Sequence, residues 1–75
     1  MESGLLWLDD RSNLSFAQKL EGAVSYYRSK YGGAPSVCFV HPSCLPATPP
    51  DQAVTVRSAP DILPNHFWLG RMAQQ

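Results

Sequence analysis

The most regular hydrophobic pattern in the chain is an amphipathic stretch between Ser15 and Tyr31. At about 100° per residue, six apolar or aromatic side chains share one face of a helix: Phe16, Leu20, Ala23, Val24, Tyr27 and Tyr31. Ser15 and Gln18 stand at the spacing of a capping box, which satisfies two backbone donors at the start of a helix. Gly32 follows as a residue that readily takes the left-handed conformation of a helix end. The pattern predicts one amphipathic helix at about residues 15–31.

Four shorter hydrophobic runs predict β-strands, and they cover residues 4–8, 37–41, 53–57 and 66–70. The second run is apolar on both faces, which is typical of a central strand covered on both sides. The third run alternates, so that Val54 and Val56 are expected to point inward and Thr55 and Arg57 outward. The element order β-α-β-β-β predicts an α+β fold in which one helix packs on a mixed three- or four-stranded sheet.

The length of 75 residues fits a single domain, residues 1–75. A domain of this size is expected to have a stability of only a few kcal/mol. Four prolines in residues 42–52 predict a stiff connecting loop, and residues 71–75 are expected to fray as a tail. Pro46 and Pro49 also have the Pro-x-x-Pro spacing of a ligand for an aromatic groove, which is the alternative interpretation of this loop.

Polar side chains follow each of the first two predicted strands. A helix between two strands predicts a right-handed crossover with both strands parallel, so their ends share one edge of the sheet. Asp9 and Asp10 follow the first strand, and His41 and Ser43 follow the second. Two carboxylates can hold a divalent cation and a neighbouring histidine can act as a general base, so this edge is the candidate catalytic site. The alternative is ordinary turn chemistry, since Asp-Asp is common after strands.

Cysteine and histidine residues form a second candidate site. Cys38, His41 and Cys44 follow one another at three-residue spacing, and His66 lies further on; all four are residue types that bind zinc. In an extended strand, however, Cys38 and His41 point to opposite faces. The alternative is a small core residue at Cys38 and a loop thiol at Cys44. No Gly-rich phosphate-binding motif occurs, so no cofactor is expected.

Charge and hydropathy narrow the choice of partners. Six basic and six acidic residues cancel, whereas nucleic-acid-binding proteins usually carry a basic excess. A stripe of Lys19, Tyr26 and Lys30 on one shoulder of the helix is the only local basis for nucleic-acid contact, against the alternative of a solvated face. No apolar run approaches the ~20 residues of a membrane span. Without a basic N-terminal region typical of a signal peptide, a cytoplasmic location is expected.

The two faces of the predicted sheet carry more apolar surface than one helix can cover. If Phe67 and Leu69 point to the helix, Trp68 points to the other face. Uncovered apolar patches usually mark a binding partner or a dimer interface. We therefore predict a non-enzymatic protein-interaction module, either a homodimer or an accessory subunit, unless the proline loop covers the second face. The candidate interface residues are Trp68, Cys38, Val40 and, on the helix shoulder, Tyr26.

Overall fold

The computed structural model of the chain describes residues 4–47 and 54–71. Its elements are β1 (Gly4–Leu8), α1 (Phe16–Tyr31), β2 (Val37–Val40), a 3₁₀ turn (Pro42–Cys44), β3 (Thr55–Ser58) and β4 (His66–Gly70). One helix packs against a four-stranded mixed sheet, so the predicted α+β fold is confirmed. The predicted proline loop beyond residue 47, the start of the third predicted strand and the predicted tail beyond residue 71 lie outside the described residues.

Both ends of α1 are held by the residues that the sequence singled out. The Gln18 backbone N–H donates to Ser15 Oγ at 3.1 Å, and the Ser15 N–H donates to Gln18 Oε1 at 2.8 Å, which confirms the capping box. Gly32 takes the left-handed conformation at φ 79°, and its N–H donates to the Arg28 carbonyl oxygen at 2.8 Å. Local interactions therefore define where the helix begins and ends.

The sheet has the strand order β1-β4-β2-β3. β4 pairs antiparallel with both β1 and β2, and β2 pairs parallel with β3. β1 and β2 therefore run in the same direction, as the crossover predicts, but β4 lies between them. β4 suits this central position because it carries large side chains on both faces, with Phe67 and Leu69 on one and Trp68 on the other.

The core lies between α1 and one face of the sheet. Leu20, Ala23 and Tyr27 of the helix pack with the buried side chains of this face, namely Cys38, Val40, Val54, Phe67 and Leu69. Leu20, Cys38, Val40 and Leu69 have no exposed surface. Val54 is buried and Val56 packs against the core, whereas Thr55 and Arg57 are exposed, so the predicted alternation of β3 is confirmed.

Cys38 and Val40 point to the helix, which corrects their assignment to the face of Trp68. The side chain of Phe39 lies on the Trp68 face instead, with the two rings 5.9 Å apart. β2 is apolar at every position, so its hydrophobic pattern has no period of two from which the inward face could be chosen.

The opposite face, which we call the open face, carries the side chains of Leu6, Leu8, Phe39 and Trp68. The strand register aligns Leu6, Trp68, Phe39 and Arg57 in one row across all four strands. The Trp68 indole lies across Gly4 and Gly70, where a Cβ atom would overlap the ring. Two glycines thus make room for one tryptophan on this face.

Candidate functional site

The sheet edge that was predicted to hold a catalytic site does not bring its residues together. Asp9 and Asp10 follow β1, while His41 and Ser43 follow β2. Because β4 separates these strands, their ends lie about two strand spacings apart, or roughly 10 Å. His66, the first residue of β4, occupies the position between them.

Asp9 is held in a local ion pair with Arg11. Its carboxylate is buried and accepts hydrogen bonds from Arg11 Nε at 2.9 Å and Arg11 Nη2 at 2.7 Å. The Asp9 backbone N–H donates to the Asn65 carbonyl oxygen at 3.0 Å. The hydrogen bonds from Arg11 lower the pKa of Asp9 from 3.8 to about 2. This carboxylate is therefore a poor base, and it fixes the turn after β1.

The ion pair predicts an acid-sensitive contribution to folding. Because the pKa of Asp9 is lower in the folded chain, its contribution is complete above about pH 4 and disappears as the pH falls from 3.8 to about 2. Chemical denaturation across this pH range should show a shallower fall in stability for Asp9→Asn than for the natural chain. Asp10→Asn is the control, since it removes a carboxyl next to the pair without breaking it. Equal pH profiles for Asp9→Asn and the natural chain would contradict this role of Asp9.

His41 and Ser43 form a local cap at the 3₁₀ turn. His41 Nδ1 accepts the Ser43 backbone N–H at 3.0 Å and lies 2.7 Å from Ser43 Oγ. The second distance is within the range of a nucleophile and its base. The ring nitrogen is already an acceptor for the backbone donor, however, and this arrangement is the N-cap of the turn at Pro42–Cys44. The pair is therefore explained by the local structure of the turn, in agreement with the turn-chemistry alternative to a catalytic site.

A small cavity of about 220 Å³ lies beside Asp9. It is smaller than the ~300 Å³ at which sites for drug-sized ligands begin. Its lining residues are Asp9, Phe16, Lys19, Cys44, Asn65, His66 and Phe67. Sequence reasoning missed the proximity of His66 to Asp9 because it depends on the insertion of β4 beside β1, for which the local sequence carries no signal.

The four candidate zinc ligands do not converge. Among the described residues, no group of three or more histidine, cysteine, aspartate or glutamate side chains is placed to hold a metal ion. Cys38 is in the core, where burial raises the pKa of its thiol from 9.0 to about 12. Zinc binds thiolates, so this cysteine is a poor ligand. His66 Nδ1 lies 2.8 Å from the Pro64 carbonyl oxygen, and both cysteines are free thiols.

The predicted basic stripe is divided along α1. Lys19 lines the cavity near Asp9, whereas Lys30 lies close to the C-terminal end of the helix with its Nζ 5.7 Å from the Tyr31 ring. The two lysines are eleven positions apart along the helix, or roughly 16 Å. Tyr26 lies between them but packs on Trp7, with ring centroids 5.2 Å apart.

The open face is the feature that local structure does not explain. Leu6 and Leu8 are 59% and 58% exposed, and Phe39 and Trp68 are half-buried. Arg57 stands at one end of the row, and His66 pairs with Leu8 at the corner of the sheet. Within the described residues, the only helix of more than one turn packs on the other side. That helix is also neither long nor apolar enough to cross a membrane.

Comparison with known proteins adds no family or activity. No protein-family model matches the chain, and neither the curated proteins nor the solved structures include a significant match.

Proposed function

We propose that this chain is a protein-interaction module that binds a partner polypeptide through the open face. The proposal rests on one observation: four large apolar side chains share a sheet face on which no described helix of more than one turn packs, and two of them, Leu6 and Leu8, are more than half exposed. The four are Leu6, Leu8, Phe39 and Trp68. Burial of apolar surface is the main driving force for association of proteins. Three of the four candidate catalytic residues, Asp9, His41 and Ser43, are by contrast engaged in local bonds that stabilise turns.

The size of the face indicates what kind of contact one chain can make. Four strands of about five residues span roughly 19 by 16 Å, which gives a face of about 300 Å² in projection. Stable protein interfaces bury about 800 Å² on each partner. A single open face is therefore suited to a weak and reversible contact, or to part of a larger binding surface.

The charges around the face define the surface that would complement it. Leu6, Trp68 and Phe39 form an apolar row, and Arg57 continues it on β3. A complementary partner presents a flat apolar surface with a carboxylate where it meets Arg57. Since the net charge of the chain is zero, long-range steering contributes little, and we expect binding to depend weakly on ionic strength.

Site-specific photo-cross-linking tests this function. A photoreactive phenylalanine analogue is incorporated in place of Phe39 in the cells that produce the chain. In the control, the same analogue replaces Glu21, which is exposed on the helix. We expect position 39 to give discrete cross-linked products in an extract of these cells. An excess of purified natural chain, added to the extract, should abolish these products. Addition of the Phe39→Lys chain should leave them in place.

The product masses then identify the partner on the open face. A discrete adduct with another protein, or one with twice the mass of the chain, supports the proposal if it is competed as described. The proposal is contradicted if position 39 gives no product, if both positions give the same products, or if Phe39→Lys competes as well as the natural chain.

A further inference from the structure

The outer edge of β1 carries free backbone hydrogen-bonding groups. The Asp9 N–H donates to the Asn65 carbonyl oxygen at 3.0 Å, which identifies Asp9 and Asn65 as a hydrogen-bonded pair of the antiparallel ladder between β1 and β4. Because hydrogen-bonded and non-hydrogen-bonded pairs alternate, the backbone groups of Gly4, Leu6 and Leu8 point away from β4. The Tyr31 hydroxyl lies on that outer side, where it donates to the Gly4 carbonyl oxygen at 3.3 Å.

Exposed apolar side chains cluster around the same edge. Of the six large hydrophobic residues that are exposed in the described part of the chain, four lie here: Leu6, Leu8, Tyr26 and Tyr31. The two leucines lie on the open face, and the two tyrosines flank the strand from the helix side through their contacts with Trp7 and Gly4. Together they expose roughly 400 Å², taking about 200 Å² for each fully exposed side chain.

The two edges of the sheet differ in protection against strand addition. Natural proteins protect edge strands with charged residues, proline or bulges. β3 presents a polar edge, in which Thr55, Arg57 and Ser58 are exposed. β1 has the sequence Gly-Leu-Leu-Trp-Leu, with no charge and no proline, and it pairs with β4 without a bulge. β1 is therefore the edge that can accept another strand.

We propose that two copies of the chain associate by antiparallel pairing of their β1 strands around a two-fold axis at Leu6. Leu6 then faces Leu6 of the second copy, and Gly4 faces Leu8. In this register, Gly4, Leu6 and Leu8 pair only with one another, and the backbone groups of all three point outward. Up to about six hydrogen bonds therefore form between the two strands. The Gly4 carbonyl oxygen has a second lone pair for this bond beside the Tyr31 hydroxyl.

Charge selects a second copy in antiparallel orientation as the occupant of this edge. Lys30 lies beside Tyr31 near the Gly4 end of β1, and Asp10 lies beyond the Leu8 end. Antiparallel pairing places Asp10 of one copy at the end where Lys30 of the other copy lies, whereas parallel pairing places each of these charges beside its own counterpart. The net charge of zero also removes overall repulsion between copies.

The dimer would double the surface assigned to partner binding, and this consequence rests on the proposed function. A two-fold axis perpendicular to the sheet keeps both open faces on the same side. The result is a continuous eight-stranded sheet with an open face of roughly 600 Å² in projection, close to the ~800 Å² typical of one side of a stable interface.

Disulfide trapping tests the register of the dimer. In a Cys44→Ser background, Leu6→Cys places two thiols across the two-fold axis, with Cα atoms about 5.5 Å apart. This separation is within the range of disulfides, so mild oxidation at micromolar concentration should yield a covalent dimer. Ser58→Cys in the same background is the control, because it places an exposed thiol on the other edge strand. The pairing is contradicted if the two variants cross-link equally.

Sedimentation analysis from micromolar to millimolar concentration tests the energetics without oxidation. Leu6→Lys should raise the dimer dissociation constant at least about tenfold while circular dichroism shows an unchanged fold, since the Leu6 side chain is exposed. A natural chain that stays monomeric overturns the edge pairing, and so does a dimer that survives Leu6→Lys but is lost in Phe39→Lys.

These outcomes separate the dimer from the proposed function. A monomer that still gives the competed cross-link at position 39 overturns only the edge pairing. A dimer that is lost in Leu6→Lys, combined with no cross-link at position 39, supports the edge pairing and overturns the partner-binding role of the open face.

Discussion

Replacement of Leu20 by alanine is expected to lower the free energy of unfolding by about 2–5 kcal/mol. Leu20 is one of the three buried helix residues that pack on the sheet, and it has no exposed surface. Removing its side chain loses apolar burial and leaves a cavity beneath the helix. In a domain whose total stability is only a few kcal/mol, this loss should leave much of the population unfolded at room temperature. Urea denaturation followed by tryptophan fluorescence measures the change.

The matched control for this experiment is Leu63→Ala. Leu63 is 65% exposed, so its truncation should change stability by less than about 0.5 kcal/mol. A cost below about 1 kcal/mol for Leu20→Ala would mean that the helix is not docked on the sheet as described.

Cys38 should react with a thiol reagent at least about tenfold more slowly than Cys44. Burial raises the pKa of Cys38 to about 12, three units above its ordinary value of 9.0, and the thiolate is the reactive form. Complete burial adds a steric barrier, whereas Cys44 is only half-buried in the loop after β2. Mass spectrometry of the native protein should find one modified cysteine, and the denatured protein should have two.

A Cys44→Ser variant isolates the slow thiol. Its labelling rate should rise with urea in parallel with unfolding, because Cys38 becomes accessible only when the core opens. Rapid labelling of Cys38 in the native protein would contradict its position on the side of β2 that faces the helix. It would indicate instead that Cys38 lies on the open face.

The helix and its ends could be predicted from the sequence because the signals are local. The capping box uses Ser15 and Gln18, and the stop uses the freedom of Gly32 to adopt a positive φ. The alternation around Val54 and Val56 identified the inward face of β3 for the same reason. Each of these features depends on residues within a few positions of one another.

The strand order could not be predicted because it depends on contacts distant in sequence. β4 pairs with β1 across about 60 residues, and no local pattern distinguishes that pairing from a direct contact between β1 and β2. The consequence was a wrong neighbour for Asp9, which lies near His66 rather than beside His41. A single inserted strand thus separates the predicted catalytic residues.

The prediction of two apolar sheet faces followed from strand alternation, but it assigned the side chains of β2 to the wrong faces. Trp68 faces away from the helix, as predicted, because Phe67 and Leu69 point toward it. Cys38 and Val40 were placed with Trp68, although they fill the core and Phe39 lies beside Trp68. The exposed Leu6 and Leu8 were missed as members of this face, since a short apolar run carries no signal that it forms an edge strand.

The helix covers one face of the sheet, whereas Leu6 and Leu8 on the other face are exposed to solvent. Paramagnetic relaxation of leucine methyl groups by a soluble gadolinium chelate measures this directly in dilute protein. We expect strong relaxation of the Leu6 and Leu8 methyl groups, comparable to that of exposed Leu63, and almost none for Leu20 and Leu69. Protection of the Leu6 and Leu8 methyl groups to the level of Leu20 would contradict this arrangement.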